Sequence, residues 1–167
     1  MNQKEIGELK EMIVEEIINN DRIVELLEPK KTEDWDRKDL LYSQVFNYNR
    51  LPFTIEEDET SITVEIESEK GSNMSIENNT SKTLSIILNV ICNDRNMRVK
   101  GTRVNRVDLI NAELDSMFNE QKHWGLGVVH FRHSVPGVLE TKHPYRLTEF
   151  ELEVLDNLRW RKGGNHK

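Results

Sequence analysis

The chain has 167 residues, 36% hydrophobic and 32% charged, with a formal net charge of -7. That length fits one domain with a core that needs no covalent staples, and one cysteine excludes an internal disulfide framework. The acidic balance disfavours binding nucleic acid over a broad surface, because such a surface releases no counterions from phosphate.

The N-terminal MNQKEIGELK lacks the apolar stretch of a signal peptide, and no segment approaches the ~20 apolar residues of a membrane span. A soluble protein made inside a cell is expected. Residues 3–19 read as an amphipathic helix, since Ile6, Leu9, Ile13 and Ile17 fall three and four apart on one face. Asn19-Asn20-Asp21 interrupts it, because these side chains favour caps and turns. Residues 22–28 form a second short helix ended by Pro29. Residues 30–51 read as irregular, with one helical turn near 36–41. Trp35, Leu40, Leu41, Tyr42, Val45, Phe46 and Tyr48 make this connection unusually aromatic. It either plugs the edge of the core with rings or offers a surface to a partner.

Residues 61–68 are the clearest strand: Ile62, Val64 and Ile66 alternate with Ser61, Thr63, Glu65 and Glu67. The polar stretch 70–81 is too long for a tight turn and is expected to be mobile. In 83–92, Leu84, Ile86, Leu88, Val90 and Cys92 share one face while Ile87 and Ile91 lie on the other, which marks a central strand. Cys92 reads as a small buried hydrophobe. Asn105 caps a helix over 105–119, with Asp108 in the capping-box position. Its buried stripe is Val107, Ile110, Leu114, Met117 and Phe118, and Asp108, Glu113 and Asp115 are its exposed acids. A strand over 126–133 follows, then a turn around Pro136-Gly137. His143-Pro144 opens the last strand, where Phe150, Leu152 and Val154 alternate with Glu149, Glu151 and Glu153. Residues 156–167 read as a loose basic tail. The expected fold is α+β, mainly antiparallel, with an N-terminal helix and a crossing helix packed on one face. It forms a single domain over 1–167, with a folded body at 3–155. Ile86, Leu88, Val90, Leu114, Phe118, Phe150 and Leu152 are expected to be buried together where helix meets sheet.

No constellation carries chemistry. His130, His133 and His143 cluster in sequence, but residues three apart on a regular strand point to opposite faces, so His130 and His133 do not share an ion there. His133-Ser134 are neighbours in sequence without a stated geometry. Gly125-Leu126-Gly127 precedes a strand rather than opening a helix and is no dinucleotide fingerprint. No catalytic residue, metal or cofactor is expected, and the chain is read as a non-enzyme. The basic tail with Trp160 reads as a solvated end with ordinary charge scatter rather than a nucleic-acid contact.

The element order, carried by YSQVFNYNRLPFTIEEDETSITVEI, TLSIILNVICND, GTRVNRVDLINAELDSMF and HPYRLTEFELEVLD, resembles that of tail terminator proteins of long-tailed phages. The resemblance covers residues 3–157. Its middle is similar to versions from phages of Gram-positive hosts, in which a strand of the type lxIxIIcH precedes an xxGTRxDxLxxEID helix start. Here the match is Gly101-Thr102-Arg103-Val104-Asn105-Arg106-Val107-Asp108 and Asn111-Ala112-Glu113-Leu114-Asp115. A closing YxGRxLxFxxxDFN pattern is echoed by Tyr145-Arg146-Leu147-Thr148-Glu149-Phe150 and Leu155-Asp156-Asn157. This chain departs in its longer 70–81 loop and its basic tail.

The resemblance implies a homo-oligomeric ring, expected to be a hexamer, at the head-proximal end of the tail tube. The ring stops tube growth and joins tail to head. Its partners are then itself, the tail tube protein and a head-completion or neck protein. DNA passes through without specific binding, and no membrane is involved. The protein is made in the host cytoplasm and resides in the virion. On this reading Glu65, Glu67, Glu149, Glu151 and Glu153 face the channel and keep DNA from adhering; otherwise they only keep a sheet edge soluble. Gly71, Asn73, Asn78, Asn79, Arg159, Trp160 and Arg161 are the expected interface residues. The alternatives are another neck component, such as a head-completion or adaptor protein, and a small cytoplasmic enzyme or regulatory module.

Overall fold

The computed structural model describes residues 2–28, 32–50, 59–69 and 81–155. Residues 70–80 of the expected 70–81 loop and the 156–167 tail, with the interface residues expected there, lie outside the described residues, whereas Ser81 belongs to a strand. The fold is α+β: helices α1 (Gln3–Asn19), α2 (Asp21–Leu27) and α3 (Arg106–Phe118) accompany a six-stranded sheet. The strands are β1 (Val45–Phe46), β2 (Ser61–Glu69), β3 (Ser81–Ile91), β4 (Lys122–His123), β5 (Gly127–Leu139) and β6 (His143–Leu155). Their spatial order is β1-β2-β3-β6-β5-β4, with β1 parallel to β2 and the other neighbours antiparallel. β3 is central, as the burial of both its faces anticipates.

Local chemistry sets the helix ends. Asn2 accepts from the Glu5 N–H, and the Glu5 carboxylate returns the bond to the Asn2 N–H at 2.6 Å. Asn20 accepts from the Arg22 and Ile23 N–H groups, so the expected break after residue 19 is the cap of α2. Asn105 accepts from the Asp108 N–H at 2.8 Å and starts α3. The Asp108 carboxylate is part-exposed and also holds the Arg146 guanidinium from β6 at 2.7 Å.

All three helices cover one face of the sheet. Leu9, Ile13, Ile17, Ile23, Leu26, Ile110, Leu114 and Phe118 join Ile62, Val64, Ile86, Leu88, Val90, Phe150 and Leu152 in one core. The seven residues expected to meet between helix and sheet are all in it. Phe118 packs edge-on against Phe150, with ring centroids 6.1 Å apart.

Three expectations are corrected. The segment before β2 is not wholly irregular: Val45 and Phe46 pair with Ile62 and Thr63 as a short parallel strand. There is no turn at Pro136-Gly137, because β5 runs on to Leu139 and the reversal falls at residues 140–142. There Glu140 and Thr141 take left-handed φ values of 47° and 67°. Pro136 fits a strand because it pairs with Arg146, a position whose partners on β5 turn their backbone groups away from β6. The Val129 N–H, at an equivalent position, bonds outward to Gln121 O at 2.9 Å. A proline there forfeits no ladder bond. Gly137 lies under the Tyr145 ring, where a Cβ would come within 2.4 Å of ring atoms. Finally, β5 is not regular: Phe131 pairs with Phe150 and His133 with the next residue, Glu149, so Arg132 is the extra residue of a bulge.

Candidate functional site

The bulge changes the histidine geometry. His130 pairs with Glu151 and His133 with Glu149, so both histidines stand on the same face, contrary to the expectation from a regular strand. His130 Nδ1 lies 3.0 Å from Glu120 and His133 Nδ1 lies 3.4 Å from Glu149. His143 is buried at the other end of β6, about 20 Å along the strand from Glu149 at ~3.3 Å per residue. Among the described residues no three His, Cys, Asp or Glu side chains are placed to share an ion. Ser134 pairs with Thr148 on the helix-covered face, where its hydroxyl lies 3.0 Å from that of Thr148. His133 is on the opposite face, so these sequence neighbours form no nucleophile–base pair.

The face without helices is where the sequence-predicted acids converge. The strand registers align Glu65, Ile87 and Glu149 in one row across β2, β3 and β6, and Glu67, Ser85 and Glu151 in the next. Glu153 follows opposite Thr83. The five carboxylates therefore share one face, but they are not equivalent. Glu65 takes Lys10 Nζ at 2.5 Å and the Asn49 N–H at 2.6 Å. Glu149 takes Arg132 at 2.8 Å as well as His133. Glu67, Glu151 and Glu153 make no ion pair or side-chain hydrogen bond among the described residues. Along β3, two polar atoms on this face are buried without a hydrogen-bond partner, Ser85 Oγ and Asn89 Oδ1. Neither was legible in the sequence, because their lack of a partner is a property of the packed sheet.

The aromatic connection divides. Leu40 and Val45 are buried in the core, Phe46 is buried opposite Thr63 against Tyr48 and Arg50, and Leu41, Tyr42 and Tyr48 stay exposed. Tyr42 and Tyr48 stack at 6.3 Å, and Tyr42 holds a left-handed φ of 61°. With Val14, Ile18 and Trp35, Leu41 and Tyr42 line a groove of about 760 Å³ beside α1, rimmed by Glu11 and Glu15.

Two internal groups were missed by the sequence reading. Arg106 is buried and donates to the carbonyls of Leu26 and, at 2.7 Å, Asn96, while pairing with Glu28 at 2.8 Å. Gln44 donates to Leu27 O at 2.8 Å and to Thr60 O at 3.1 Å. Together they satisfy the last carbonyls of α2, which no helical N–H reaches. Cys92 is buried beside the Thr60 hydroxyl at 3.3 Å, and burial pushes its thiol above the ordinary range.

Among the described residues, no helix is long and apolar enough to cross a membrane. No curated protein matches the chain. The family model YomW matches residues 20–150, from the start of α2 through most of β6.

Proposed function

We infer that this chain, which belongs to the phage-derived YomW family, acts as a tail terminator: a ring-forming structural protein that caps the tail tube and joins it to the head. The observation that supports this reading is the order of elements in a phage-family chain. An N-terminal helix leads through an aromatic connection to β2 and β3; α3 then crosses the sheet, and β5 and β6 close it. That is the arrangement of the family the sequence resembles. The function is binding without turnover. The ring, a hexamer on this reading, contacts the tail tube protein on one side and a head-completion protein on the other. It is carried in the virion neck. A net charge of -7 suits a subunit past which DNA moves without adhering.

Electron microscopy of particles assembled without this protein tests the reading. Overlong or headless tails are the expected outcome. Normal tails beside heads that leak DNA would move the protein to head completion, the second reading within the neck.

A further inference from the structure

We propose that the helix-free side of β3 is a seat for an arginine-bearing extended segment of a partner protein, with a guanidinium held between Glu67 and Glu151 above Ser85. The registers place Glu67 and Glu151 on either side of Ser85. With neighbouring strands ~4.8 Å apart, the two backbones are about 10 Å apart, close enough for both carboxylates to lean over one cation. Ser85 is 1% exposed, yet its hydroxyl has no partner. Buried polar groups are seldom left so, because the missing hydrogen bond is costly.

The chemistry of the occupant follows from what is unmet. Two carboxylates and Asn89 Oδ1 only accept hydrogen bonds, and the Ser85 hydroxyl can also accept. The complement is a group that only donates and carries positive charge. Arginine brings five N–H donors in a planar fork and no acceptor; lysine brings one compact charge. The adjacent row offers no second seat of this kind, since Glu65 and Glu149 are already neutralised by Lys10 and Arg132. Ile87 lies half-buried between Ser85 and Asn89 and suits the methylene stem of a long side chain. Ser85 and Asn89 are four residues apart, about 13 Å along the strand, which an extended segment of the same length spans. Glu67 is exposed and can swing aside to admit it. This assigns Glu67 and Glu151 to a protein contact rather than to a channel wall, and it does not depend on the ring reading.

The test titrates the full chain with hexa-arginine, hexa-lysine and spermidine. Calorimetry gives affinity, and amide resonances locate binding. Hexa-arginine should bind several-fold tighter than hexa-lysine and shift amides of residues 83–91 and 149–153. Glu67→Gln and Ser85→Ala should each weaken it about tenfold, as loss of one charge-assisted hydrogen bond does. Glu67 is exposed, so its variant keeps the test open should Ser85→Ala disturb the central strand. Equal affinity for the two peptides would overturn the proposal, leaving only diffuse attraction. Equal shifts with spermidine, or arginine binding indifferent to Glu67→Gln, would overturn it too.

Discussion

Arg106 ties the end of α2 to the segment that leads into α3. Its guanidinium satisfies Leu26 O at the end of α2 and Asn96 O before α3, and it meets Glu28 at the protein's edge. Truncation to Ala leaves both carbonyls without these donors and Glu28 without its partner. We expect Arg106→Ala to cost about 3 kcal/mol, read as a lower denaturant midpoint. Arg106→Lys should recover only part, since one ammonium does not reach two carbonyls and a carboxylate in the same geometry. Cys92 gives a pH-dependent outcome. Burial raises its thiol and so favours the neutral form in the folded state, while the Thr60 hydroxyl acts in the opposite direction. A raised folded value means that this contribution is complete below the ordinary thiol value and is lost as pH rises through the folded one. Relative to Cys92→Ala, which lacks the titration, the native chain should therefore lose stability in alkaline solution. Urea midpoints measured for both chains from neutral to alkaline pH check this, and parallel curves would contradict it.

Among the elements, β5 depends most on its partners. Pro136-Gly137 is a strong turn signal in isolation, yet both residues sit in a thirteen-residue strand. The tyrosine opposite explains the glycine: Tyr145 occupies the space where a Gly137 side chain would stand. Gly137→Ala is expected to cost about 1–3 kcal/mol through overpacking. Combined with Tyr145→Ser, which clears the space, most of that penalty should vanish, and a double-mutant cycle by thermal unfolding reads the coupling. Additive effects would mean that the ring yields without strain. The bulge at Arg132 has a second effect on the same strand. It turns His133 to the face of His130 and brings Arg132 to Glu149, which removes that acid from the free charge of the sheet.

At the scale of the molecule, the features legible in the sequence were those set by local backbone geometry. The 3.6-residue period gave α1 and α3, and the two-residue period gave β2, β3 and β6, because apolar side chains must recur at the spacing that returns them to one face. Asn20 and Asn105 were legible as caps because a short polar side chain reaches nearby N–H groups whatever the rest of the chain does. The alternation of Glu65 and Glu67, and of Glu149, Glu151 and Glu153, likewise fixed the acids of each strand to one face, although Thr63 and Ser85 on that face are buried. β1 was not legible, since two residues carry no period and become a strand only when β2 supplies the hydrogen bonds. Arg106 was not legible because charged residues usually face water, and nothing local marks the one that meets buried carbonyls. Nor could the sequence say that β2 and β6 flank β3. Alternation determines which side of its own strand a glutamate occupies; the pairing of β3 with β2 before it and with the distant β6, decided by packing of the whole chain, determines that Glu67 and Glu151 stand on either side of Ser85.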